Sequence, residues 1–323
     1  MDWSKFNDII KSSKNILIIS HVNPDGDTLG SMCGLYDAIY LNFKKKCDML
    51  TLSKIPDVYS YMPHLNKVRH LDEFDKSREY DLVINVDVAS LDRACDAKIL
   101  FEKAKFTVNI DHHKTNNAYA DLNFINPEAS STGEVLFNCF KTLGWKTSLN
   151  CAICIYTAIL TDTGSFRYDN TKPATFEAAA KLVEIGINPS DIYKKVYESD
   201  SKTLVMFQAH CVSKAKFIED DKIAYTTVYK KDMEMFGAGD DCMEGLTEKL
   251  RAIVTTRIAF AAKEMKSGGT KISMRSKFAD VAKICEAFGG GGHKFAAGCT
   301  IKAPVETAVK KVLEEIKRSV SEF

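Results

Sequence analysis

The sequence predicts an α/β protein in two parts: a larger N-terminal domain on a mainly parallel sheet and a smaller C-terminal α+β domain. Three observations carry this. The chain has 323 residues, enough for about two domains of roughly 100–200 residues each. Up to residue 130, short apolar runs alternate with stretches of helical spacing, the pattern of strands joined by crossover helices. Beyond residue 216 strand-like runs follow one another more closely and end in one amphipathic helix.

Residues 15–19 (Asn-Ile-Leu-Ile-Ile) read as a buried strand and 29–42 as a helix. Residues 47–52, 81–86 and 106–110 read as three further strands, with a helix over 92–103 between the last two. Lys44-Lys45-Lys46 reads as a solvated helix end. Ser131-Thr132-Gly133-Glu134 has the form of a helix start and leads into 135–143. Helices over 149–160 and 173–184 follow. Gly186-Ile187-Asn188-Pro189-Ser190 is a stop-and-restart signal, and 191–216 reads as helical and polar. The predicted domains are therefore 1–188 and 217–323, with a helical linker over 189–216. In the second domain 222–229, 257–265, 270–276 and 294–301 read as strands, 279–288 and 305–320 as helices.

Composition excludes several function classes. Hydrophobic residues at 45% and charged residues at 27% are ordinary for a soluble globular chain and rule out a disordered or collagen-like one. Forty-four Lys+Arg against 43 Asp+Glu leave a net charge of +1, far from a basic-arm nucleic-acid binder, so any polyanion site must be local. The N-terminus lacks a signal-peptide layout, and the longest apolar stretch, 151–160, is half of the ~20 residues a membrane span needs. The ten cysteines are scattered, so reduced thiols and a cytoplasmic location are expected. Cys151 and Cys154 read as thiols packed inside a helix. His64, His70 and His210 fall outside every motif and read as surface or packing histidines.

The chemistry gathers at the predicted strand ends. His21-Val22-Asn23-Pro24-Asp25-Gly26-Asp27 follows the first strand, and Pro24 and Gly26 make a tight loop that presents two aspartates. The 81–86 strand ends at Asp87, the 106–110 strand at Asp111-His112-His113, and a helix end supplies Asp162. Open α/β sheets carry their ligands at the carboxyl ends of strands. His21, Asp25, Asp27, Asp87, His112 and Asp162 make two imidazoles and four carboxylates, a set that two divalent cations would neutralise. Oxygen-rich sites with some imidazole suit Mn²⁺, with Mg²⁺, Fe²⁺ and Co²⁺ as competitors. Two such ions form the clamp used in phosphoryl hydrolysis, and Asp87 is the candidate bridging carboxylate.

His21…Asp25-Gly26-Asp27…Gly30-Ser31, Asp87, Asp111-His112-His113 and Asp162 resemble the four motifs of the DHH phosphoesterase family. Gly289-Gly290-Gly291-Gly292-His293, with Ala296-Ala297-Gly298, resembles the glycine-rich motif of its DHHA1 domain. The resemblance covers nearly the whole chain in order. It implies an N-terminal DHH catalytic domain and a C-terminal DHHA1 substrate-binding domain. It further implies one metal on His21, Asp25 and Asp87, another on Asp27, Asp87, His112 and Asp162, and His113 on the substrate phosphate with Asp111 behind a histidine. Arg275, His293 and the glycines Gly290, Gly291 and Gly292 would hold the far end of the substrate.

Together with Arg275-Ser276-Lys277, the length resembles bacterial oligoribonucleases that degrade nano-RNA and dephosphorylate 3′-phosphoadenosine 5′-phosphate (pAp). The expected enzyme is thus a hydrolase that releases nucleoside 5′-monophosphates from short 5′-phosphorylated RNA, and AMP from pAp, by a water activated by two metal ions. The alternative within the family is a phosphodiesterase for cyclic di-AMP or pApA. A nucleotide sensor without catalysis has no reason to keep all six ligand residues. Long duplexes and membranes are not expected partners. Relatives of this type often pair, and one sequence leaves a homodimer among the alternatives.

Overall fold

The computed structural model describes residues 2–239 and 242–320. The chain divides into two compact units, Met1–Ser199 and Asp200–Phe323.

The first unit opens with α1 (Ser4–Ser12) and β1 (Ile16–Ile19), then α2 (Gly26–Phe43), β2 (Cys47–Thr51), β3 (Val68–His70), β4 (Leu82–Val86), α3 (Lys98–Glu102), β5 (Thr107–Asp111) and β6 (Leu122–Ile125). Five helices follow up to Ser213: α4 (Thr132–Leu143), α5 (Leu149–Asp162), α6 (Pro173–Ile185) and α7 (Pro189–Tyr197) in the first unit, and α8 (Lys202–Ser213) in the second. The six strands form one parallel sheet in the order β3-β2-β1-β4-β5-β6.

Both faces of this sheet are covered, which is why β1 and β4 are buried at every position and are apolar, Asn85 excepted, rather than alternating. Ile16, Ile18, Leu82, Ile84 and Val86 pack under α2, α4 and α5, while Leu17, Ile19 and Val83 face Leu100, Phe101 and Tyr80. α2 and α5 cross at glycines. A Cβ at Gly30 would lie 2.4 Å from the Cys154 carbonyl oxygen, and one at Gly34 would lie 2.7 Å from Ile155. Backbones can therefore approach closely beside the strand ends.

The second unit runs from α8 through β7 (Lys216–Ile218), β8 (Ile223–Val228), α9 (Lys230–Phe236), α10 (Leu246–Arg251), β9 (Ile258–Glu264), β10 (Thr270–Ser276), α11 (Val281–Glu286), β11 (Gly291–His293), β12 (Ala296–Ile301) and α12 (Val305–Ser319). Its sheet order is β11-β12-β10-β9-β8-β7, with β8 and β9 parallel and the other pairs antiparallel. α11 and α12 cover one face; Phe207 of α8, Met233 of α9 and Leu246 of α10 pack on the other.

Several expectations change in detail. The helix expected over 92–103 is a 3₁₀ stretch, Leu91–Ala97, broken by Cys95 (φ 43°, ψ −129°), and only α3 is α-helical. The polar segment 191–216 is two helices, interrupted at 198–201, with Ser201 capping α8 and β7 beginning at Lys216. Lys44 does end α2 in a left-handed conformation, but Lys45 is not solvated: its Nζ donates to the carbonyls of Ile10, Lys11 and Ser13 and closes the end of α1. The ten cysteines are free thiols, and Cys151 and Cys154 are buried in α5. Among the described residues no helix is long and apolar enough to cross a membrane.

Candidate metal centre

Strand order sets the location. From β1 the chain builds outward to β2 and β3; from β4 it builds the other way to β5 and β6. The crevice at the carboxyl ends of β1 and β4 is thus a topological switch point, where open α/β sheets bind ligands. His21 follows β1, Asp87 follows β4, and Asp111 ends β5, immediately before His112 and His113. Asp25 caps α2, with its Oδ1 accepting from the Thr28 N–H at 3.0 Å, and Asp27 lies in the first turn. Asp162 is the last residue of α5.

The fold brings all six expected ligand residues together. Donor atoms of His21, Asp25 and Asp87 lie within 4.8 Å of one another, as do those of Asp27, His112 and Asp162. Asp87 reaches both sets. Its Oδ2 is 3.3 Å from His21 Nε2, and its Oδ1 is 3.7 Å from His112 Nε2 and 3.5 Å from His113 Nδ1. His112 Nε2 also lies 3.7 Å from Asp27 Oδ2 and 3.5 Å from Asp162 Oδ2. His21, Asp27 and Asp87 are buried; Asp25 is exposed.

Each ligand-type side chain is held from behind. His21 Nδ1 donates to the Val22 carbonyl at 2.7 Å, and His112 Nδ1 lies 3.4 Å from the Ala129 carbonyl. A backbone anchor on Nδ1 leaves Nε2 as the coordinating atom. Asp27 accepts from Thr132 N–H at 2.8 Å and Gly133 N–H at 3.0 Å, the first turn of α4, whose N-cap is Ser131. The Thr132 and Thr28 hydroxyls donate to the two oxygens of Asp87, at 3.1 Å and 2.6 Å, and Asn170 Nδ2 lies 3.4 Å from Asp162 Oδ2. Asp111 orients the neighbouring histidine: its Oδ1 accepts from His113 Nδ1 at 2.7 Å.

The electrostatics are those of crowded carboxylates. Burial, with the charges of Asp87, Asp162 and Asp25, pushes Asp27 well above the carboxylate range. Burial likewise lifts Asp162 to about 7, with Asp87 and Asp25 adding to it against the pull of His112. Burial opposes ionisation of Asp87 too, but the His21 hydrogen bond and the histidine charges hold it low. His113 is raised to about 9: burial works against its charge, and Asp111 and Asp87 outweigh it. Four carboxylates at one strand edge are a set that added cations would relieve, so the residues fit a pair of divalent ions.

Asp87 itself has φ +61°, a left-handed backbone that costs a non-glycine residue about 1–3 kcal/mol and concentrates at functional sites. Sequence reasoning missed Thr28, Asn116, Tyr119 and Asn170, and took 131–134, a segment resembling the one that follows the family's Asp-His-His motif, first of all as a helix start. These are single polar residues with no spacing signature.

The remaining expected residues lie in the second unit. Arg275, on β10, donates through Nε to Glu248 Oε1 at 2.7 Å and through a terminal nitrogen to the Met274 carbonyl at 3.0 Å. The Gly290 N–H donates to the Cys285 carbonyl at 2.9 Å, and a Cβ there would meet the Gly298 carbonyl at 2.3 Å. Close packing on β12 thus requires glycine at this position, and its N–H is already used. Gly291 and Gly292 belong to β11. His293 ends β11; its side chain lies outside what the structure describes. The fold leaves Phe166-Arg167-Tyr168 as a packed turn: Phe166 stacks on Phe176 at 5.5 Å and Arg167 Nε donates to the Gly164 carbonyl. His64 pairs with Asp37 at 2.6 Å and His210 with Asp232 at 3.2 Å.

Comparison with known proteins adds two family matches: the DHH family N-terminal domain over residues 15–159 and the DHHA1 domain over 220–322. The chain is 28% identical over 308 residues to the probable bifunctional oligoribonuclease and PAP phosphatase NrnA of Streptococcus mutans, covering 95% of this chain and 96% of that one. It is 28% identical over 291 residues to the bifunctional oligoribonuclease and PAP phosphatase NrnA of Bacillus subtilis, covering 88% and 89%. A crystal structure of an exopolyphosphatase-related protein from Bacteroides fragilis superposes with a TM-score of 0.93 at 27% identity, over 98% of this chain and 97% of that one.

Proposed function

We propose a specific activity for this chain, which belongs to the DHH/DHHA1 phosphoesterase family: hydrolysis of short 5′-phosphorylated oligoribonucleotides to nucleoside 5′-monophosphates, and of pAp to AMP. The family is hydrolytic and metal-dependent. The single observation that carries the reading is the convergence of two imidazoles and four carboxylates at the switch point of the parallel sheet. The substrate class is supported by the activities named for the two NrnA relatives.

In this reading His21, Asp25 and Asp87 hold one divalent ion, and Asp27, Asp87, His112 and Asp162 hold the other, Mn²⁺ being the ion best suited to the donor set. When bound, the pair supplies Lewis-acid polarisation of the phosphoryl group and activation of water. The chain's own groups do the rest. Asp87 shares its two oxygens between the two ligand groups. His113, whose Nδ1 is anchored on Asp111, is placed to meet the substrate phosphate or the departing oxygen. Thr132 and Gly133 fix the Asp27 carboxylate through backbone N–H groups that need no reorganisation during turnover. Arg275, Gly290, Gly291, Gly292 and His293 are assigned to the far end of the substrate; for Gly290 the contribution is close packing, since its N–H is committed.

The test is a Mn²⁺-dependent rate panel on pAp, a 5′-phosphorylated RNA trimer, pApA and cyclic di-AMP, with Asp87→Ala as the blank. Fast release from pAp and the trimer, abolished in the blank, is the expected result. Faster turnover of cyclic di-AMP than of either would overturn the substrate assignment and leave the metal assignment standing.

A further inference from the structure

We propose that Asn116 and Tyr119 are positioning residues which, by gripping the Val88 carbonyl together, hold Asp87 in the left-handed conformation that turns its two oxygens toward two different ligand groups. Residue 87 is aspartate, yet its φ of +61° belongs to a region that side chains rarely adopt, so neighbouring contacts must hold it there. The next residue shows how. The Val88 carbonyl accepts from the Tyr119 hydroxyl at 2.9 Å and from Asn116 Nδ2 at 3.2 Å. The direction of the tyrosine bond is enforced. Asn85 Nδ2, in β4, donates to the Tyr119 oxygen at 3.0 Å, which leaves the phenolic proton for Val88.

Both residues come from the loop after β5, and that loop is itself fixed. Tyr119 packs its ring on Phe101 at 5.5 Å. The Asn116 amide nitrogen also donates to Asp111 Oδ2 at 2.5 Å, and its carbonyl oxygen accepts from Ala118 N–H at 2.9 Å. One asparagine therefore ties the backbone beside Asp87 to the carboxylate that orients His113. The bend at 87–88 and the Asp-His-His segment come from different strands, and this side chain sets their spacing.

The inference rests on the metal reading given above, so the experiment reads metal binding without substrate. Tyr119→Phe keeps the ring and removes only the hydroxyl; Asn116→Ala removes its bonds to Val88, Asp111 and Ala118 together. Asn123→Ala is the control. Asn123 braces the same loop through Ala120, donating to its carbonyl at 2.7 Å and accepting from its N–H at 3.1 Å, without touching Val88. Each protein is titrated with Mn²⁺, following the electron paramagnetic resonance signal of the free ion, and melted without metal. Tyr119→Phe is expected to weaken Mn²⁺ binding roughly tenfold and Asn116→Ala roughly 10–100-fold, with Asn123→Ala within about twofold of the unaltered protein. If Tyr119→Phe and Asn116→Ala both stay within about twofold, or if Asn123→Ala weakens binding equally, the positioning role is refuted whatever the melting temperatures do. Absence of Mn²⁺ binding by the unaltered protein would refute the metal reading and this inference with it. Binding without turnover of any nucleotide would refute only the substrate assignment.

Discussion

Replacing Gly30 with alanine adds one methyl group where α2 crosses α5, and the sign of its effect separates two forces. In an uncrowded helix the change stabilises by about 1 kcal/mol, because glycine loses more backbone freedom on folding. Here the new Cβ would lie 2.4 Å from the Cys154 carbonyl oxygen and 3.0 Å from both the Cβ and the N of Ala158. None of these atoms is the end of a flexible side chain, so relief requires the helices to part. Overpacking of this kind costs about 1–3 kcal/mol, and contact with backbone puts it at the upper end. The net expectation is about 2 kcal/mol of destabilisation, or a melting temperature lower by about 4–8 °C for a unit of this size. The displacement also falls on the candidate metal centre, since Asp27 lies one turn before Gly30 and Asp162 one turn after Ala158. Circular dichroism melting of metal-free protein, paired with a Mn²⁺ titration, measures both effects. A melting temperature equal to or above that of the unaltered protein would refute the close crossing of α2 and α5.

Asp162→Asn removes one crowded carboxylate; at pH ~8 it should stabilise the metal-free protein by about 1 kcal/mol or more while weakening Mn²⁺ binding at least tenfold, and melting with and without Mn²⁺ shows whether the two effects oppose. The pH dependence follows the same groups. Asp162 at about 7, the raised Asp27 and His113 at about 9 all bind protons more tightly in the folded chain. The metal-free protein should therefore lose stability as pH rises from about 5 to about 9, and a melting temperature that climbs over that range would contradict the assignment. Arg275→Ala should raise KM for pAp about tenfold or more with kcat little changed, and Glu248→Gln, which keeps an acceptor for Arg275 Nε but removes its charge, should raise KM less; steady-state kinetics in which kcat falls and KM holds would remove Arg275 from ground-state binding.

The parts of the fold legible in the sequence are those in which many residues repeat one message. Ile16–Ile19 is apolar throughout and Leu82–Val86 is apolar but for Asn85, because both sheet faces are covered, and Ser131 caps α4 as its position before Glu134 implies. β3, β7 and β11 span three residues each, too few for any periodicity to emerge. The stretch 92–103 has helical spacing, but Cys95 leaves helical geometry and only its second half is α-helix. At the candidate metal centre the expected ligand residues stand out in the sequence because strand ends carry Asp and His in turn. Their supports were not. Thr28, Asn116 and Tyr119 act through one hydroxyl or amide on a partner 59, 28 or 31 residues away, and nothing local marks such a pairing.

Both sheets finish in very short strands: β3 and β6 at the edges of the first, β7 and β11 at the edges of the second, none longer than four residues. An exposed sheet edge is a template on which a strand from another molecule can hydrogen-bond, and its hazard grows with length and flatness. Three-residue edges offer too few backbone groups to recruit such a strand, and Arg69 in β3 and Lys216 in β7 add charge to two of them. The long strands, where continuous apolar sequence would be most prone to self-association, are confined to the sheet interiors. The chain thus carries two aggregation-prone cores behind borders that discourage edge-to-edge growth, a safeguard that matters most while the slow parallel pairing of the first sheet is still forming.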